Sequence, residues 1–236
     1  MQPRRPSFDQ AYAAADPLPG WLTEDQARCL YAAATAVAPH GTAIEIGSHH
    51  GRSAVVLASA LPPGARLVAI DPFPEDWRYG AADTEAAFRR NVAAAGVAGS
   101  VELRVASSAE VRAGWTGSAH LVYVDGKHDH WSCREDLRWS RHVVPGGLVL
   151  VHDAFSSLGV TTALLRELAT TRHLRYTGRV GSLARLEVAA PSILDRLRAL
   201  REVPWWLRNL IVKVCLRLRL PFLARLLRHH DSADPY

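Results

Sequence analysis

The chain of 236 residues has few cysteines and no long apolar run. Its three cysteines, Cys29, Cys133 and Cys215, lie far apart and show no CxxC spacing. An odd number without that spacing indicates neither a disulfide framework nor a structural zinc site. No run of eighteen uncharged apolar residues occurs, and the first ten residues lead into no signal-peptide run. We therefore expect a cytoplasmic protein that neither spans a membrane nor is secreted by that route.

The chain also lacks an excess of charge of either sign in its first 190 residues. The net charge is +5, and residues 191–236 carry nine Lys/Arg against four Asp/Glu, which leaves 19 of each sign before them. A domain without net positive charge has little attraction for a phosphate backbone, so no nucleic-acid partner is expected. We divide the chain into a domain, residues 1–190, and a basic appendage, residues 191–236.

Short β-type runs alternate with helix-type stretches along this domain. The first five runs are residues 43–46, 66–70, 101–105, 121–124 and 148–151. Each connection is long enough for a crossover helix, so the pattern predicts an α/β fold whose parallel sheet carries helices on both faces. Two further strands, 174–179 and 182–188, are joined by Val180-Gly181. That turn is too short for a crossover and predicts an antiparallel last pair.

Helices are also predicted before the first strand and after the last strand of the chain. Residues 22–37 have apolar positions at helical spacing, and Thr23 is suited to cap the helix N-terminus. The appendage is rich in leucine and arginine and is broken at Pro204 and Pro221, which indicates two or three short amphipathic helices. Such helices are typical of a docking element for a second subunit or an anionic membrane surface, and equally of helices packed back on the domain.

A glycine-bearing turn, EIGSHHGRS over residues 45–53, follows the first predicted strand. Glycine lets the backbone approach a ligand closely, but Gly47 and Gly51 do not complete the GxGxxG fingerprint of NAD-binding proteins. Asp71 ends the second strand, 24 positions after Gly47, where a carboxylate can accept both hydroxyls of a ribose. An aspartate that only starts a turn before Pro72 is the alternative. Together the two features favour a nucleoside-bearing ligand.

Four motifs occur in a specific order: IEIGSHHGRS (44–53), AIDPF (69–73), LVYVDGKHDHW (121–131) and PGGLVLVHDAF (145–155). This set resembles class I S-adenosylmethionine (SAM)-dependent methyltransferases, in particular the metal-dependent small-molecule O-methyltransferases that include catechol and macrolide-sugar enzymes. The resemblance covers about residues 20–188. It implies a Rossmann-like seven-stranded sheet with an antiparallel last strand, and SAM as the cofactor.

The resemblance also assigns the cofactor residues. It implies that Glu45, Gly47, Ser48 and Ser53 line the methionine end of SAM, that Asp71 holds the ribose, that Ser107 and Ser108 lie near the adenine, and that Asp125 belongs to the cofactor site. His49 and His50 either contact the substrate or the methionine carboxylate, or simply fill the loop. Trp77 and Tyr79 either stack on a sugar or the adenine, or anchor their loop to the core.

A divalent cation, Mg²⁺ or another, is implied at the ends of the fourth and fifth strands. There the family pattern places the ligands Asp125 and Asp153, which adjacent strands can bring together although 28 positions separate them. The second residue of the strand-five pair is Ala154 where the family has Asp or Asn. His152, Asp129, water or substrate would then supply the missing ligand.

His128 lies three positions after Asp125, where related catechol-type enzymes carry a lysine. Its ordinary pKa near neutrality suits it to act as the general base on the acceptor hydroxyl. The alternative is that Asp125-Gly126 forms an ordinary turn and that His128, His130 and Trp131 only open the next helix.

These features support a SAM-dependent O-methyltransferase acting on a small molecule, with a sugar or glycoside as the preferred acceptor because neighbouring hydroxyls can chelate magnesium. A second hypothesis is an iron-dependent oxygenase or metal hydrolase built from His128, His130, His152 and the two aspartates. A third is a non-catalytic nucleoside-binding scaffold whose basic tail is the working part. A nucleic-acid methyltransferase is not expected, because methyltransferases of exocyclic base amines resemble one another in a proline-aromatic motif after strand four. Here that stretch is VDGKHDH.

Overall fold

Seven strands form one sheet in the order β3-β2-β1-β4-β5-β7-β6 in the computed structural model, which describes residues 5–74, 83–220, 222, 226 and 227. The strands are β1 (Thr42–Ile46), β2 (Arg66–Ile70), β3 (Val101–Arg104), β4 (Ala119–Val124), β5 (Val143–Val151), β6 (Leu174–Val180) and β7 (Leu183–Val188). β1 to β5 are parallel, and β7 pairs antiparallel with both β5 and β6. The predicted sheet and its reversed strand are confirmed.

Three strands begin earlier than predicted, β1 by one residue, at Thr42, and β4 and β5 by more. β4 starts at Ala119 and β5 at Val143, and these two residues pair across a register shift that precedes the pair Leu121–Leu148. The stretch Pro145-Gly146-Gly147 separates the two parts of β5 and conceals its start, since proline and glycine are typical of turns rather than strands.

Nine helices are described. They are α1 (Phe8–Ala15), α2 (Glu24–Thr35), α3 (Arg52–Ala60), α4 (Thr84–Ala94), α5 (Ser108–Ala113), α6 (His130–Leu137), α7 (Leu158–Thr170), α8 (Ile193–Leu200) and α9 (Val203–Arg217). Thr23 caps α2 as predicted, because its hydroxyl accepts the N–H of Gln26 while the Gln26 side chain accepts the N–H of Thr23. α1 was not predicted. Ser7 and Gln10 form the same reciprocal cap there.

Apolar residues alternate between the two faces of the central strands and form one core cluster on each face. Ala43 and Tyr123 belong to the cluster under α2 and α3, whereas Ile44 and Val122 belong to the cluster under α6 and α7. Nearly all residues of β1, β2 and β4 are buried, as expected for strands covered on both faces.

The carboxyl ends of four neighbouring strands lie side by side at one edge of the sheet. Backbone hydrogen bonds continue past the strands from Gly47 to Ile70, from Asp125 to Ile46 and from His152 to Val124. β1 and β4 are neighbours whose chains cross over in opposite directions, towards β2 and towards β5. In open α/β sheets this switch point is where ligands bind.

The appendage rests on the domain. Arg196 donates hydrogen bonds to the carbonyls of Leu168, Ala169 and Thr171, and the fully buried amide of Asn209 donates to the carbonyl of Phe155 at 3.0 Å. Two of the predicted amphipathic helices are therefore α8 and α9. Among the described residues, no helix is long and apolar enough to cross a membrane.

Candidate active site

Gly47 sets the path of the loop after β1. Its φ of +86° is in the left-handed region, and a Cβ atom there would lie 2.1 Å from the carbonyl oxygen of Asp125. Only glycine fits this close approach of two loops. Gly51 closes the loop as the N-cap of α3, also with positive φ.

Asp71 holds this loop from the neighbouring strand. Its Oδ2 atom accepts the backbone N–H groups of Ser48 at 2.8 Å and His49 at 2.9 Å, and its Oδ1 atom accepts that of Phe73 at 2.7 Å. The contact with Phe73 is the turn that we considered as an alternative role. The carboxylate nevertheless lines the cavity described below, and its remaining lone pairs can accept hydroxyls. The ribose contact stays a prediction.

Glu45 lies behind the cavity wall rather than in it. The side chain is fully buried on β1, and its Oε2 atom accepts the hydroxyl of Ser48 at 2.8 Å. Burial raises the pKa of Glu45 to about 7, against the hydroxyls of Ser53 and Ser48 that favour its charged form. Glu45 therefore reaches a ligand only through the two serines, which do line the cavity.

Two carboxylates and two imidazoles meet at the ends of β4 and β5. Nδ1 of His128 lies 3.3 Å from Oδ2 of Asp153, and Nε2 lies 3.7 Å from Oδ1 of Asp125. Nδ1 of the buried His152 lies 3.3 Å from Oδ1 of Asp125 and 3.8 Å from Oδ2 of Asp153. The sequence-predicted residues are thus brought together by the sheet, as expected for groups that end adjacent parallel strands.

Other hydrogen bonds hold the two carboxylates in place. The hydroxyl of Tyr123 donates to Oδ2 of Asp125 at 2.9 Å, and the hydroxyl of Ser156 donates to Oδ1 of Asp153 at 3.0 Å. Asp153 has a φ of +53°. A non-glycine residue in this region costs on the order of 1–3 kcal/mol, and such residues are typical of functional sites.

The charges of this cluster stabilise one another. Burial acts to lower the pKa of His128 and of His152, but the carboxylates of Asp125 and Asp153 outweigh it and raise both values. Burial acts to raise the pKa of each aspartate, but the two imidazoles outweigh it and lower both values. The arrangement is therefore an ion-pair network in which the histidines favour the imidazolium form.

This donor set does not fit the predicted magnesium site. Magnesium prefers oxygen ligands in an octahedral arrangement, whereas imidazole nitrogens lie within 3.3 to 3.8 Å of both carboxylates. Ala154 offers no oxygen from its side chain. Throughout the ranges that the structure describes, no group of three or more His, Cys, Asp or Glu side chains is arranged to hold a metal ion.

Two residues proposed as metal ligands lie elsewhere. Asp129 caps α6, where its Oδ1 atom accepts the N–H groups of Trp131 and Ser132 at 3.0 and 2.9 Å. The ring of His130 contacts the hydroxyl of Thr162 at 2.9 Å. Asp129 is thus used as a helix cap, and the ligand set of the oxygenase or hydrolase hypothesis loses His130.

One cavity of about 620 Å³ joins the loop after β1 to the cluster at β4 and β5. The site residues that line it are Gly47, Ser48, Ser53, Asp71, Ser107, Ser108, Asp125, His128, His152 and Asp153. Ser107 caps α5, and the hydroxyl of Ser108 donates to Asp136. Burial raises the pKa of Asp136 to about 6. Trp77 and Tyr79 lie outside the described residues.

The segment before α2 forms a wall of the cavity that the sequence did not reveal. Arg52 donates to the carbonyls of Leu18 and Gly20 at 3.3 and 3.1 Å and pairs with Asp16 at 2.6 Å. These bonds place Trp21 at the cavity, with its ring stacked on that of His49 at a centroid distance of 6.4 Å.

Gln26 was also missed, although it contacts the cluster of carboxylates and imidazoles at the ends of β4 and β5. Its Oε1 atom lies 3.3 Å from Nε2 of His152, and its Nε2 atom donates to the hydroxyl of Ser182 at 3.0 Å. The sequence shows Gln26 as a helix residue close to the cap of α2, so no local signal marks it.

Comparison with known proteins finds one family model that matches part of the chain. Residues 44–154 match a family model described as a methyltransferase domain. The O-methyltransferase TomG from Streptomyces achromogenes, involved in tomaymycin synthesis and solved in complex with SAM, is 24% identical; the match covers 78% of this chain and 89% of TomG with a TM-score of 0.58.

Two further structures match over similar lengths. An O-methyltransferase from Bacillus cereus in complex with SAH is 17% identical, with 80% of this chain and 93% of that chain covered and a TM-score of 0.58. Cofactor-bound Rv0187 from MTB is 22% identical, with 80% and 100% covered and a TM-score of 0.60. At these identities the structures show a common fold.

Proposed function

We propose that this chain is a SAM-dependent O-methyltransferase acting on a hydroxyl of a small molecule, since residues 44–154 match a methyltransferase domain. The observation that carries the proposal is the continuity of the cavity. The same space reaches the loop held by Asp71 and the imidazole of His128, which is half-exposed. A cofactor on one side and an acceptor on the other could therefore meet within it.

The loop after β1 and the end of β2 suit the cofactor. SAM, when bound, supplies a methyl group made electrophilic by its sulfonium. The loop offers the hydroxyls of Ser48 and Ser53 close to the backbone, while Asp71 fixes its shape and accepts ribose hydroxyls. That TomG and the Bacillus cereus enzyme were solved with SAM and SAH supports this ligand.

His128 is placed to take the proton of the acceptor hydroxyl. Asp153 lies within reach of Nδ1 and would hold that nitrogen protonated. The neighbouring carboxylates raise the pKa of His128, which favours its charged form and also makes the neutral form a stronger base. In the neutral form the lone pair of Nε2 is open to the acceptor hydroxyl. Nε2 is 3.7 Å from Asp125, too far for a strong hydrogen bond. When the proton moves to Nε2, both aspartates stabilise the imidazolium. A positioned base of this kind contributes roughly 10²- to 10⁴-fold to the rate.

A sugar or glycoside is the acceptor that we favour. The carboxylates of Asp125 and Asp153 can accept hydrogen bonds from neighbouring hydroxyls, and Trp21 presents an aromatic face at the cavity wall. Magnesium assistance, which the resemblance implies, supplies no step in this proposal because the donor set does not fit it. The test of the proposal therefore includes removal of divalent cations with EDTA.

The test is isothermal titration of the full chain with S-adenosylhomocysteine (SAH), with and without magnesium, followed by methyl transfer from SAM to sugars, glycosides and catechols. We expect SAH to bind and a hydroxyl to be methylated. Turnover abolished by EDTA and restored by magnesium would establish metal assistance, whereas full turnover in EDTA would reject it. Binding of SAH without transfer to any acceptor would favour the scaffold hypothesis. Redox-active iron without SAH binding would favour the oxygenase.

A further inference from the structure

The outer faces of α8 and α9 carry apolar side chains that no described part of the chain covers. On α8 these are Ile193, Leu194, Leu197 and Leu200. On α9 and its C-cap they are Leu207, Ile211, Val214 and Leu218. We call these eight residues the α8–α9 surface. Their exposed fractions run from 48% to 78%, and the spacing on each helix places them in one stripe. So large a set of exposed apolar residues marks an interaction surface.

Both helices pack against the rest of the protein, so detachment does not explain why the stripes are exposed. The opposite side of α9 buries Asn209, Val212 and Cys215, and α8 buries Ala199 in the main core. Trp205 and Trp206 also pack against that core. Each helix therefore has one face used by the fold and one left for a partner.

Charge on these helices is positive and is available to a partner. Arg201 and Arg217 are exposed beside the two stripes, and neither forms an ion pair within the part of the chain that the structure describes. The acidic groups are engaged instead: Asp195 binds the hydroxyl and N–H of Ser192, and Glu202 accepts from Arg179 at 2.6 Å. The surface therefore attracts anions, while residues 1–190 carry no net charge.

We propose that the α8–α9 surface docks the protein on an anionic membrane. Leucine and isoleucine stripes flanked by arginine match an interfacial helix, which buries its apolar face at the headgroup boundary and keeps its cations among lipid phosphates. A second copy of the chain is the less suitable partner. A two-fold contact would place this positively charged surface against a second positively charged surface.

The docking surface is fixed relative to the active site. Asn209 binds the carbonyl of Phe155, and Nζ of Lys213 donates to the carbonyl of Ser156 at 2.5 Å. These carbonyls belong to the loop that carries Asp153. A membrane bound at the outer face of α9 would thus lie behind the wall of the catalytic cavity.

The test is sedimentation of the full chain with vesicles of phosphatidylcholine alone or mixed with phosphatidylglycerol, at low and high salt. We expect binding to the anionic vesicles that weakens with salt. Arg201→Gln with Arg217→Gln should weaken it roughly thirtyfold, at about 1 kcal/mol for each charge. Leu197→Gln with Ile211→Gln should weaken it at least as much.

Matched controls lie outside the two helices. Arg141→Gln removes an exposed charge and Val105→Gln an exposed apolar side chain, and neither should change vesicle binding. SAH binding with the affinity of the wild type shows that a variant is folded. Equal binding by wild type and the Arg201/Arg217 variant would overturn the proposal. So would a dimer in sedimentation velocity that the Leu197/Ile211 variant dissociates, without vesicle binding, because the surface would then be a contact between copies.

Discussion

Nδ1 of His128 lies 3.3 Å from Oδ2 of Asp153, although the two residues follow different strands and are 25 positions apart. The contact exists because β4 and β5 are parallel neighbours whose carboxyl ends coincide. It gives the imidazole a defined orientation towards the cavity, which a turn residue that only opens α6 would not need.

Replacing His128 with alanine should lower kcat by roughly 10²- to 10⁴-fold and leave SAH affinity unchanged, because the side chain is assigned to the acceptor and not to the cofactor. Initial rates and calorimetry measure the two quantities. His130→Ala is the matched control, since its ring binds Thr162 and should matter little. Unimpaired turnover by His128→Ala would reject the base and leave His152 as the next candidate.

Asp71→Ala should weaken SAH binding by about tenfold or more, which is on the order of 1.4 kcal/mol. The substitution removes the proposed acceptor of the ribose hydroxyls. It also removes the carboxylate oxygen that accepts the N–H groups of Ser48 and His49 and holds the loop. Calorimetric titration measures it, with the exposed Asp9→Ala as control. Equal affinities for Asp71→Ala and wild type would contradict the cofactor assignment.

Gly47→Ala should destabilise the fold far more than Gly96→Ala, although both glycines have positive φ. At Gly96 an added Cβ meets nothing within 4 Å, so only the backbone strain of about 1–2 kcal/mol applies. At Gly47 it would meet the carbonyl oxygen of Asp125 at 2.1 Å, and the two loops of the site must separate. Thermal unfolding compares the variants, and similar losses at both positions would show that the loops are not in close contact.

Glu45 should make the stability of the ligand-free protein depend on pH. Its pKa rises from 4.5 to about 7 on folding, so the folded state binds its proton more tightly. This contribution is complete below pH 4.5 and is lost as pH rises through about 7, on the order of 3 kcal/mol in all.

Glu45→Gln removes that titration. The variant should gain stability relative to wild type between pH 5 and pH 8, as measured by chemical denaturation at both values. Any change in the free energy of unfolding that the amide causes equally at both pH values cancels in this comparison. A stability difference that does not change with pH would show that the Glu45 carboxyl ionises normally.

The local sequence by itself determined the sheet and the ends of its strands. β-type runs separated by crossover lengths require parallel neighbours. A two-residue turn, predicted at Val180-Gly181 and observed at Gly181-Ser182, permits only an antiparallel pair. Thr23 marked the start of α2, and Gly47 marked the turn after β1. These features depend on hydrogen-bond periodicity and backbone sterics, which act between residues near in sequence.

Only the tertiary structure decided which side chains the site contains. Arg52 places Trp21 at the cavity through bonds spanning more than thirty positions, and Gln26 reaches His152 over 126. Asp129 and His130 carry the right chemistry but bind a helix N-terminus and Thr162. Whether a polar side chain lies in a site, caps a helix or is buried in the core depends on contacts with residues distant in the chain. Hydrophobic and helical patterns do not reveal those contacts.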